Sequence, residues 1–146
     1  MRVANPLAPS FALFWAGILV AISFIEAPLK FRAFGISLKR GLGIGKLVFS
    51  TLNKTEWVLL LGILLSFLPF YRRHILGYLI FILPVACLMV QSFYLLPRLN
   101  HRTDLIFQGI NPGISSDHPF YIMIGGTKVL SLIFFSILQY KHLKNL

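Results

Sequence analysis

Ile22-Ser23-Phe24-Ile25-Glu26-Ala27-Pro28 and Asn53-Lys54-Thr55-Glu56-Trp57 bound the segment whose reading decides the fold. The first closes an apolar run that starts near Leu7, and the second opens a run that continues to Tyr71. Between Ser23 and Glu56 lie Lys30, Arg32, Lys39, Arg40, Lys46 and Lys54, six of the fourteen basic residues. A polar, basic stretch flanked by two long apolar runs, each carrying one glutamate at its polar end, reads as a hinge between two membrane spans.

The bulk composition agrees. Hydrophobic residues make up 57% of the 146, charged residues only 12%, and mean hydropathy is +0.79. A soluble fold this apolar has too few polar side chains to cover its surface, whereas a bilayer requires such a composition. The length allows one domain, residues 1–146. The net charge of +10 would suggest nucleic acid in a soluble chain, but the basic residues sit between and beside apolar runs, where they fix orientation in a membrane. The expected partner is therefore the lipid bilayer and not nucleic acid. The single cysteine, Cys87, lies inside an apolar run, so no internal disulfide forms and no paired Cys/His zinc spacing exists. The first run reads as a retained span, not a cleaved signal: only Arg2 precedes it, and Glu26, Pro28 and Lys30 follow it.

Four spans are predicted, at about residues 7–27, 47–71, 75–96 and 120–139. In the first, Pro9-Ser10 suits a helix start and Pro28 marks the end. Trp15 is too deep for an interfacial belt and should pack inward, while Ala12/Ala16 and Gly17/Ala21 form small-xxx-small pairs that admit a neighbouring helix. The apolar part of the second, Trp57 to Tyr71, gives about 22 Å of helix, short of a hydrocarbon core of about 30 Å. Its helix must start earlier, around Leu47 to Leu52, which draws Asn53 and Glu56 towards the membrane. Spacings of seven and three put Lys46, Asn53 and Glu56 on one face, with Lys54 pointing elsewhere. Pro69 and Tyr71-Arg72-Arg73-His74 read as a short turn. Pro84 should kink the third span and Pro97 close it; Gln91, Tyr94 and Arg98 share a face near its end. Asn111-Pro112-Gly113 is a turn, and Ser115-Ser116-Asp117 before Pro119 reads as the cap of the fourth span. Gly125-Gly126 interrupts that span, and Tyr121, Gly125, Lys128 and Ser131 fall near one face.

Residues 29–46 alternate basic and apolar groups and read as an interfacial connector. Within it Gly41-x-Gly43-x-Gly45-Lys46 invites comparison with a phosphate loop. The pattern fails, because Arg40 stands where the first glycine belongs and Leu47 replaces the magnesium-binding Ser or Thr. Close helix packing or a flexible interfacial turn explains it better. The two connectors flanked by spans one and two and by spans three and four hold eight Lys and Arg (Lys30, Arg32, Lys39, Arg40, Lys46, Lys54, Arg98, Arg102), against five opposite (Arg2, Arg72, Arg73, Lys141, Lys144). That excess places both connectors in the cytoplasm and both termini in the periplasm.

Overlaying the spans brings Glu26, Asn53, Glu56, Gln91 and Lys128 to comparable depth. Two acids and one intramembrane lysine imply at least one ion pair, Lys128 with Glu56 or with Glu26. As a structural device such a pair lets charges survive at low dielectric and sets helix register. As a functional one it would be a proton or ion pathway or the floor of a ligand site. Placement near one interface favours the structural reading. His74, His101, His118 and His142 all fall at span ends or in connectors. A haem or copper site needs ligands on facing helices, for which His101 and His118 are the weak candidates. Ser115, Ser116, Asp117 and His118 are better explained as a cap than as a catalytic triad.

The run from Ile22 to Ala33, then Gly45-Lys46-Leu47-Val48-Phe49, Leu52-Asn53-x-x-Glu56, Leu96-Pro97-Arg98-Leu99, and His118-x-x-Tyr121 with Lys128, resembles a family of small bacterial four-span membrane proteins without established activity. Their layout is broadly similar to that of the copper-resistance protein D-like group. The resemblance implies an acidic residue three before the span-four lysine; here Gly125 stands there, so Lys128 lacks that intrahelical partner. The expected molecule is an all-α integral four-helix bundle of a bacterial inner membrane. It is read as a non-enzymatic transport, permeation or accessory component, associating with itself or with another membrane subunit. No cofactor is expected; the alternative is a redox protein holding haem or copper.

Overall fold

The computed structural model describes residues 6–67 and 75–144. Among them all regular structure is helical, in four helices long and apolar enough to cross a membrane. They are α1 (Leu7–Lys30), α2 (Leu38–Phe67), α3 (Leu76–Phe107) and α4 (Asp117–Lys144). The chain is a four-helix membrane bundle. The expected turn from Pro69 to His74 lies outside the described residues.

α1 packs along α4 and α2, and α4 packs along α3 on its other side. The end of α3 returns to the start of α2. The end of α1 and of α3 therefore share one face of the bundle with the start of α2 and of α4. At the opposite face Ser10 and Tyr140 hydroxyls meet at 3.0 Å, and Ser136 Oγ donates to the Pro9 carbonyl at 3.2 Å. Trp15, Leu19, Ile63, Leu88, Leu132 and Phe135 fill the centre, each 2% exposed or less. Ala12 and Ala16 are buried and give α1 its close approach, whereas Gly17 and Ala21 face outward, so only the first small-residue pair is an interface.

Three helix limits differ from the sequence expectation, each for a local reason. α2 begins at Leu38, not near Leu47, so half of the expected connector belongs to this helix. Ser37 caps it: its Oγ accepts from the Arg40 N–H at 3.4 Å and its carbonyl from the Gly41 N–H at 2.9 Å. The true connector is short and turns at Gly35, where φ is +77°. α3 runs ten residues beyond Pro97, and α1 runs past Pro28 to Lys30. Both prolines follow a π-helical turn, Val20–Glu26 in α1 and Gln91–Leu95 in α3. A proline in an α-helix loses one hydrogen bond and clashes with the carbonyl four residues back. Here those carbonyls belong to Phe24 and Phe93, both inside the wider π turns, so the helix absorbs the ring and continues. α4 likewise passes through Gly125-Gly126 without a break.

The connector between α3 and α4 is pinned by side chains. Arg102 donates to the carbonyls of Pro112 and Gly113 at 3.3 and 2.6 Å. Asn111 Oδ1 accepts from the Gly113 N–H at 3.0 Å, closing the turn at a glycine with φ +73°. Arg98 Nε reaches the Asp117 carboxylate at 3.3 Å, tying α3 to the first turn of α4, and Ser115 Oγ accepts from the Asp117 N–H at 3.0 Å.

Candidate functional site

Each helix contributes one side chain to a buried polar network. Lys128 of α4 makes an ion pair with Glu56 of α2 and donates to Gln91 Oε1 of α3. Trp15 of α1 donates its indole N–H to the same Glu56 Oε1 at 2.8 Å. Gln91 Nε2 then donates to the Tyr121 carbonyl at 3.0 Å, about two turns before Lys128 on α4. Trp15, Glu56 and Lys128 are 0% exposed and Gln91 1%. Isolated polar groups buried this fully would be expensive, so an acid and a base in contact, with added hydrogen bonds, are the form in which the bundle can hold them. Glu56 Oε2 is buried without a protein partner.

The π turn of α3 shapes this centre. Gln91 opens it and is buried, and Ser92 beside it faces α2. Ser92 Oγ accepts from Asn53 Nδ2 at 2.6 Å and from Trp57 Nε1 at 3.1 Å. Asn53 therefore bonds α3 and does not join the ion pair. Three residues apart, Asn53 and Glu56 differ by about 60° around the helix, enough to meet different neighbours. Lys46 is likewise drawn to α3, where it pairs with Asp104. Glu26 is not a partner of Lys128 in the network either. It pairs with Lys30 four residues on at 3.5 Å, the ordinary spacing for an intrahelical ion pair. Of the five residues expected to converge, the structure brings Glu56, Gln91 and Lys128 into contact and leaves Glu26 and Asn53 in separate pairs.

Beyond the network, towards the connector face, the four helix ends enclose a pocket of about 370 Å³. Phe49 and Tyr121 meet edge to face at 5.3 Å on its wall, and the Tyr121 carbonyl is the atom that Gln91 holds from the other side. The pocket thus stands on the buried network. Lys30 lines it with its amine over the rings of Phe49 and Phe31, 5.1 and 5.6 Å from their centroids. The glycines of the supposed phosphate loop lie on helix α2 and make room for this wall. A Cβ at Gly41 would stand 2.3 Å from the Phe31 ring, and one at Gly45 3.1 Å from Lys30 Nζ. Their role is close packing.

His118 lines the pocket, while His101 is exposed on α3. Among the described residues no three His, Cys, Asp or Glu side chains gather as a metal site would. Sequence reasoning missed the pocket because its walls come from four separate helix ends, and it missed the Trp15–Glu56 bond although both signals were visible. A tryptophan deep in a span needs an acceptor for its N–H, and Glu56 was the acid drawn to that depth. No protein-family model, curated protein or solved structure matches the chain.

Proposed function

We propose that this chain is a non-enzymatic membrane component of the small transport or accessory kind, which holds a ligand in a pocket open at one membrane face. The observation that carries this reading is the stacking of the two features: a cavity at the connector face, and directly beneath it a side-chain network no member of which is more than 1% exposed. A continuous water path through the bundle would leave these charges wetted. A dry, paired centre instead supports binding from one side. The excess of Lys and Arg at the connector face supports a cytoplasmic pocket in a bacterial inner membrane with periplasmic termini. The long apolar helices support association with a second copy or another subunit.

Proteoliposomes test the reading. Wild-type protein should leak protons and potassium no faster than protein-free vesicles. Glu56→Gln, which keeps an acceptor for Trp15 and removes the counter-charge of Lys128, should raise the leak. Fast passive flux through the wild type would contradict a one-sided binding site.

A further inference from the structure

We propose that the pocket at the connector face takes the anionic headgroup and upper chain of a phospholipid from the surrounding leaflet, a deepening that rests on the binding reading above. Three observations converge. First, the lining is amphipathic in a lipid-like sense. Phe24, Phe31 and Ile122 line the cavity and are still 41%, 43% and 38% exposed, so its mouth opens beside the hydrocarbon and not only to water. Asn100 and His118 supply polar groups on the same lining.

Second, the pocket holds a cation with spare capacity. The side chain of Lys30 is 8% exposed. An ammonium carries three donors, and the acceptor found for this one is Glu26 at 3.5 Å, a long contact to a carboxylate that is itself 34% exposed. The two aromatic faces beside Lys30 hold it in place without consuming its protons. A phosphate oxygen in the cavity would complete the coordination. Arg32, Lys39 and Arg40, all exposed, flank the lining residues Phe31 and Gly41 and add positive potential.

Third, the size fits part of a lipid. A cavity of 370 Å³ is at the small end of ligand sites, which run about 300–1,000 Å³. It accommodates a headgroup and the start of one chain, leaving the remainder in the bilayer. A free phosphate ion would satisfy the lysine but would leave the apolar wall without a partner.

Delipidated full-length protein in detergent, offered phosphatidylglycerol or phosphatidylcholine and read by native mass spectrometry, tests this directly. Wild type should retain phosphatidylglycerol about tenfold over phosphatidylcholine. Lys30→Gln should lose that preference and Lys30→Arg keep it, with size exclusion and thermal unfolding confirming that both fold. Millimolar inorganic phosphate should not displace the lipid. Equal retention of the two lipids, unchanged selectivity in Lys30→Gln, or displacement by phosphate would each overturn the proposal, the last in favour of a soluble anion. Ala27→Trp, which fills the cavity, separates the two levels. Unselective retention that it abolishes leaves the pocket standing without the anionic preference. Retention that it does not alter removes the pocket reading as well.

Discussion

Trp15 is the residue through which α1 joins the charged centre. Its indole fills the core and its N–H takes part in fixing Glu56. Trp15→Phe keeps most of the ring volume and deletes the donor. A hydrogen bond to a charged group is worth about 1.5–3 kcal/mol, and the loss should appear at that size in reversible unfolding in micelles. A change below about 0.5 kcal/mol would show that the bond contributes little. Glu26 carries the complementary lesson. It was legible as an acid near the membrane, yet Lys30, four residues later on the same helix, was its nearest cation by spacing alone. Depth along a span was readable from hydropathy; direction around the helix was not, and direction separated Asn53 from Glu56.

At the scale of the element, four apolar runs were legible and their ends were not. Proline and glycine normally stop helices, and three expected breaks rested on them. The π turns before Pro28 and Pro97 removed the clash that makes proline a terminator, and no hydropathy pattern announces a π turn. The start of α2 had a visible signal in Ser37, a capping residue ahead of a run free of proline. Ser37→Ala should lower stability by about 0.5–2 kcal/mol, measured by thermal unfolding, if the cap governs that start. The glycines offer a paired test. A Cβ at Gly125 would meet only Gln91 Nε2 at 3.7 Å, ordinary contact, so Gly125→Ala should stabilise by up to about 1 kcal/mol through helix propensity. Gly41→Ala should forfeit that gain, because its Cβ displaces the Phe31 ring. Equal gains at both positions, in the same unfolding assay, would show that Phe31 moves freely.

For the whole molecule, the topology puts the connector at Gly35 and the turn at Asn111 on one face and Lys141 on the other. If the proposed orientation holds, Phe34→Cys and Ile114→Cys in a Cys87→Ala background should react with an impermeant maleimide from the cytoplasmic side. Lys141→Cys should react from the opposite side. The reverse pattern would invert the assignment made from basic residues without touching the bundle. The central claim is that one buried pair, served by all four helices, locks the bundle below the pocket. A double-mutant cycle on Glu56→Leu and Lys128→Met, read as unfolding free energy in micelles, tests it most directly. Each single change strands a buried charge and should cost about 3–5 kcal/mol, while the double change should recover most of that loss. Single effects that add to within about 0.5 kcal/mol would contradict the account, since they would mean that the two side chains do not depend on each other.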